Sequence, residues 1–151
     1  MPIYILSIII TIGILFFIRT NVSSHDQSAN ESFVEIGGRK IPVEVVDTAI
    51  SRMRGLSGRE NLPENTGMLF VFDKPGKYTF WMKDMKFAID IIWIEDGRIV
   101  DIWENAQPPS QGEIPIYTPE YTSTYVLEVN AGFAKETGVK IGDGVILDIS
   151  E

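Results

Sequence analysis

The chain has 151 residues, a formal charge of −8, one histidine and no cysteine. The missing thiols exclude a cysteine nucleophile, thiolate zinc sites and iron–sulfur clusters, and the lone His25 leaves neither a Ser-His-Asp triad nor a histidine-ligated metal centre for a folded domain. The overall acidity argues against nucleic acid as a partner, and no phosphate-cradling or dinucleotide-binding glycine motif occurs.

Ile3 to Ile18 form a run of sixteen residues without charge. As a helix they cover roughly 24 Å of a ~30 Å hydrocarbon core, with Thr20 to Val22 extending into the interface. The run is long for the apolar core of a secretory signal, about 7–15 residues. Residues 1–18 are therefore expected to be a hydrophobic N-terminal helix that anchors the chain in a membrane. A signal cleaved near Val22-Ser23-Ser24 is the alternative, giving a secreted protein. Either places the rest of the chain in the extracytoplasmic cell envelope. Residues 19–32 hold four serines and two asparagines and read as a flexible linker. Residues 33–151 are sufficient for a single domain with one core.

In that domain Phe33–Ile36 and Ile41–Val46 flank Gly37-Gly38-Arg39-Lys40, a hairpin pattern. Asp47 or Thr48 caps a short helix ending at Arg54-Gly55. Gly67–Phe72 reads as a strand, closed by the turn signal Asp73-Lys74-Pro75-Gly76. Tyr78–Lys83 follows as a strand. Phe87–Ile94, apolar except at Asp90, reads as a central strand with both faces covered. Asp96-Gly97 turns into Ile99–Trp103. Residues 107–120 carry four prolines and form a long loop. Thr122–Asn130 is a strand, Ala131–Gly138 a short helix and Val145–Ile149 the last strand. The fold class is mainly β (α+β): a small, closed or nearly closed antiparallel barrel-like sheet with two short helices.

Five ordered blocks carry a family likeness: Arg54-Gly55-Leu56, Gly67-Met68-Leu69-Phe70-Val71-Phe72, Phe80-Trp81-Met82-Lys83, Ile89-Asp90-Ile91-Ile92 and Leu127-Glu128-Val129-Asn130-Ala131-Gly132. With them the chain resembles the uncharacterised family called domain of unknown function 192, over about residues 43–149. The family usually has Asn-Thr where this chain has Asp84-Met85. The resemblance implies a compact β-rich domain, often behind an N-terminal signal or anchor, and implies no activity.

Candidate site residues come from strand parity and charge. Between Arg52 and Lys86 seven basic residues face four acids, while Phe87 to the C-terminus holds three bases and twelve acids. In Tyr78–Lys83, alternation puts Tyr78, Phe80 and Met82 on the core side and Thr79, Trp81 and Lys83 on the other. Trp81 and Lys83, with Arg54, are expected to line one concavity beside the 107–120 loop and to take an anionic ligand with a flat or apolar ring, such as an acidic envelope sugar. Asp90, the single polar residue of its strand, is expected to be buried against Arg54 or Lys83. Glu128 is in phase with Thr124, Val126 and Asn130 and reads as a half-exposed strand acid; Asp90, Glu128 and Asn130 complete the candidate ligand-binding residues beside Arg54, Trp81 and Lys83. If Asp90 and Glu128 met in one cleft, they would offer hydrolase or lyase chemistry on envelope saccharides, with Arg54 as stabiliser. Met82 and Met85 are thioethers of the kind that hold Cu(I), although methionine beside aromatics is ordinarily core filling. No catalytic residue, metal or cofactor is assigned, and the oligomeric state is open. The leading expectation is a membrane-tethered extracytoplasmic binding or accessory domain, with a ligand-free structural module as the remaining alternative.

Overall fold

The structure, a computed structural model, describes residues 31–150, so the expected anchor and the linker up to Asn30 lie outside the described residues. Nine strands and two short helices follow in the order β1 (Phe33–Ile36), β2 (Arg39–Val46), α1 (Ala49–Arg54), β3 (Gly67–Gly76), β4 (Phe80–Trp81), β5 (Ile89–Glu95), β6 (Arg98–Ala106), β7 (Ile116–Tyr117), β8 (Ser123–Asn130), α2 (Phe133–Thr137) and β9 (Val145–Asp148). Seven strands make one curled, half-barrel sheet in the order β6-β5-β8-β3-β2-β1-β9, and β4 pairs with β7 in a separate two-stranded ribbon. The edge strands meet at one end only, where Ile99 N–H donates to the Asp143 carbonyl (3.0 Å) and Val145 N–H to that of Gly97 (2.8 Å). Among the described residues no helix is long and apolar enough to cross a membrane.

Local chemistry accounts for most of these elements. Gly37 and Gly38 have φ of 58° and 73°, the left-handed pair that a two-residue hairpin loop requires, so Arg39 and Lys40 belong to β2. Thr48 and Ser51 form a reciprocal capping box at the start of α1. The β5 strand, flanked by β6 and β8, is buried on both faces from Ile89 to Ile94. Pleating then divides the core in two. The cross-strand row Val46–Phe70–Val126–Trp93 belongs to one apolar cluster with Leu56, Leu62 and Met82, and the row Leu69–Leu127–Ile92 to the other with Val34 and Val145.

Three expectations are corrected. The sheet is not wholly antiparallel, because β2 and β3 pair in parallel with Val46 opposite Phe70. A parallel pair needs a long crossover, and residues 47–66, with α1 inside them, provide it. The signal Asp73-Lys74-Pro75-Gly76 is not a turn: β3 runs on through it, and the register against β8 shifts between Val71 and Gly76, as a bulge allows. The proline-rich segment is not wholly loop, since Ile116 and Tyr117 pair with β4.

Ser32 sits inside the folded boundary. Its Oγ lies 3.0 Å from the Ser150 Oγ and accepts from the Ser150 N–H at 3.0 Å, while its carbonyl accepts from Val43 N–H at 2.9 Å. Removing residues 1–30 is expected to leave a single cooperative thermal transition, because residues 31–151 form a compact unit of their own. Removing Ser32 as well is expected to cost about 1–2 kcal/mol through these lost bonds. Calorimetry of the two truncations checks this, and a first truncation without a cooperative transition would refute the boundary.

Candidate functional site

Helix α1 buries none of its residues, and its Ile50 and Met53 are 76% and 65% exposed. Arg52 holds the helix to the sheet: its guanidinium donates to the carbonyls of Asp47 and Val71 and lies 4.9 Å from the Phe72 ring centroid. After Gly55 the chain runs beside the end of β4. There Ser57 Oγ donates to the Lys83 carbonyl (2.8 Å) and Gly58 N–H to that of Asp84 (2.9 Å). These bonds set the helix against the Phe-Trp-Met-Lys block. Phe80 and Met82 are buried, while Trp81 is 48% exposed with the Lys83 ammonium 5.6 Å from its ring centroid. Arg54, Trp81 and Lys83 line one shallow concavity of about 310 Å³ with Ile50 and Met53; Ser57 and Asp84 complete it. Ile116 of β7 stands directly across from Trp81, which brings the proline-rich segment beside the concavity.

Charge at this place is unbalanced. Arg59 and Lys86 of the same basic stretch are paired with Glu44 and Glu60, whereas neither Arg54 nor Lys83 forms an ion pair among the described residues. Asp84 is the one carboxylate of the lining, so two cations face one acid there. Its φ of 57° is a backbone conformation that Asp and Asn tolerate better than most residues.

The other candidate residues lie elsewhere. Asp90 is fully buried, but its partner is neither Arg54 nor Lys83. Its Oδ1 accepts from Asn105 N–H (2.8 Å) and Gly132 N–H (3.3 Å), and its Oδ2 from Ala134 N–H (2.8 Å). Backbone donors from an irregularity in β6 and from the start of α2 replace the expected cation. Glu128 is not half-exposed: at 5% exposure it sits in the sheet row between Met68 and Ile91. Polar neighbours in phase misled the reading, because Thr124 and Asn130 lie towards the strand ends while the middle of that face packs under the segment carrying Leu56 and Leu62. Burial pushes its carboxyl up to about 8, against a smaller downward pull from the Arg59 guanidinium. Its Oε2 has no hydrogen-bond partner among the described residues.

Asp90 and Glu128 do not share a cleft. Asp90 pairs with Val129, the residue next to Glu128, so the two carboxyls leave opposite faces of the sheet. Asn130 goes to a third place: its Nδ2 donates to the carbonyls of Leu62 (2.9 Å) and Pro63 (3.2 Å), tying down the segment over Glu128. It also lines a larger cleft of about 640 Å³ with Arg39, Phe133 and Glu136, sharing no residue with the Trp81 concavity. Sequence reasoning missed this cleft; the polar run Asn61 to Thr66, which forms one wall, was its only local signal. Met82 and Met85 are buried in the core, as fillers rather than ligands. Among the described residues no three His, Cys, Asp or Glu side chains are grouped to hold a metal ion.

A curled mostly-β sheet with a Trp-Lys concavity on a short ribbon defines a small β-rich domain class. The chain belongs to the DUF192 family, described as "Uncharacterized ACR", which matches residues 32–147. It is 32% identical over 111 residues to a UPF0127 protein of Thermococcus gammatolerans, covering 72% of this chain and 68% of that one. A UPF0127 protein of Thermococcus kodakarensis is 28% identical over 67% of this chain and 61% of its own length, so the chain spans about two thirds of these relatives. Two solved structures are similar with a TM-score of 0.68 each. One is a protein of unknown function from Novosphingobium aromaticivorans, 29% identical over 78% of this chain and 83% of that chain. The other, from Sinorhizobium meliloti, carries the description of a proposed transcription regulator and is 34% identical over 77% of this chain and 90% of that chain.

Proposed function

We propose that this protein is a membrane-tethered, extracytoplasmic binding domain that takes an anionic ligand with a flat or apolar portion, such as an acidic envelope sugar, between Arg54, Trp81 and Lys83. One observation carries the reading: these three side chains line one concavity, where two cations without an ion pair among the described residues stand beside an exposed indole. An indole face binds an apolar ring by stacking, and a cation beside it selects for negative charge. The tether rests on the uncharged Ile3–Ile18 run. Hydrolysis by paired carboxylates has no such support, with Asp90 and Glu128 on opposite faces of the sheet.

Titration of the chain with oligogalacturonate, followed by tryptophan emission, tests the site. Trp81→Ala and Lys83→Ala are each expected to lower affinity about tenfold or more, the loss of 1–2 kcal/mol of stacking or charge. The melting temperature should barely move, because both side chains lie off the core. A Trp81→Ala protein that unfolds, or that binds as the wild type does, would overturn the assignment.

A further inference from the structure

The concavity is only part of a larger apolar surface. Ile50 and Met53 on α1, Trp81 on β4 and Ile116 on β7 are 76%, 65%, 48% and 62% exposed. The first three line the same hollow, and Ile116 is the cross-strand neighbour of Trp81. Exposed apolar residues scattered singly mean little, but a contiguous set from three elements marks an interaction surface. Arg54 and Lys83 stand within it and form no ion pair among the described residues.

We infer that this surface docks on the anionic lipid bilayer: Ile50, Met53, Trp81 and Ile116 enter the interfacial layer while Arg54 and Lys83 meet lipid phosphates. The inference rests on the anionic-ligand reading above and names its source, since a lipid headgroup presents negative charge next to apolar chains. Three observations favour a membrane over a soluble partner. Tryptophan beside lysine and arginine is the composition of the membrane interface, where an indole sits at headgroup depth and cations stay with the phosphates. Charge favours the contact: two cations and one acid line this hollow in a chain of net charge −8, so an anionic bilayer meets a locally basic surface here. The chain before the described residues holds the uncharged Ile3–Ile18 run, and only twelve residues, 19–30, lie between that run and Glu31. If that run inserts, as proposed above, so short a connection keeps the domain at high effective concentration beside the bilayer.

The full chain, reconstituted into vesicles that contain brominated phosphatidylcholine with and without phosphatidylglycerol, tests this. Trp103→Phe removes the other exposed indole, leaving Trp81 and the buried Trp93 to report. Bromine is expected to quench Trp81 strongly in the anionic vesicles, and high salt should reverse much of it. Lys83→Glu should weaken docking about fivefold or more, one cation being worth about that factor near an anionic surface. The double variant Ile50→Asp, Met53→Asp keeps the N-terminal segment and leaves the core untouched, so loss of quenching in it assigns the effect to the patch rather than to tethering. Equal quenching in this variant and the parent, or none in either, overturns the inference. Oligogalacturonate titration of the same parent chain in detergent separates the two readings. Saccharide binding without bromine quenching overturns the lipid assignment alone, whereas absence of both overturns the anionic site as well.

Discussion

Asp90→Ala is expected to destabilise the domain by about 3–5 kcal/mol, through the buried backbone donors that it leaves without an acceptor. The carboxylate is fully buried and receives three backbone N–H groups, from Asn105, Gly132 and Ala134. Alanine would leave these donors without an acceptor, at about 1–3 kcal/mol for each that stays buried. The loss is also topological. Asn105 has φ of 56° and is the next-to-last residue of β6, while Gly132 is the N-cap of α2 and offers no side chain to its helix, so Asp90 serves both from the middle of the sheet. Asp90→Asn should fall between wild type and alanine: its carbonyl can still accept at one position, but its NH₂ then faces a donor. Urea melts measure the order wild type, asparagine, alanine. With about 3–5 °C per kcal/mol at this size, the alanine variant should melt roughly 10–20 °C lower. An alanine variant within about 1 kcal/mol of wild type would refute the role given to these bonds.

The burial of Asp90 was legible because it interrupts an otherwise apolar strand; its partners were not. Strand patterning reports which face a residue occupies, whereas the donors come from chain positions 15 to 44 residues away, in backbone conformations set by tertiary packing. The same divide explains the rest. Alternation around Phe80 and Met82 gave the exposure of Trp81, and helix caps at Thr48 and Gly55 gave α1, since both signals are local. The parallel pairing of β2 and β3 is invisible locally, because the crossover between them reads as loop and helix in either topology. Pro75 in a turn signal implies the end of β3, yet the strand passes it where the ladder with β8 is already interrupted, so the missing N–H costs no bond there. Two-residue β7 owes its pairing to β4 rather than to its own composition. The site divides likewise: Arg54, Trp81 and Lys83 meet as parity and charge implied, while Asp90, Glu128 and Asn130 go to three separate places.

Glu128 is expected to make the stability of this domain fall as pH rises from mildly acidic to mildly basic. Burial holds its carboxyl near 8 in the folded chain, against 4.5 for the ordinary group. The unfolded chain therefore releases this proton near pH 4.5 and the folded chain keeps it until about pH 8. Between those values the folded state binds more protons than the unfolded one, so the group's contribution is complete below pH 4.5 and is lost progressively up to about pH 8. The slope is on the order of 1 kcal/mol per pH unit. Glu128→Gln fills the same volume, never ionises and should abolish this slope. Its stability should resemble that of wild type near pH 5 and exceed it by a few kcal/mol near pH 8. Taking the difference between the two proteins cancels every other titrating group they share. Arg59→Gln probes the cause from the other side: without the guanidinium that pulls the value down, the Glu128 titration should move still higher. Carboxyl ¹³C shifts followed across pH read that movement directly. Parallel stability profiles for wild type and Glu128→Gln would refute the raised value given to this carboxyl.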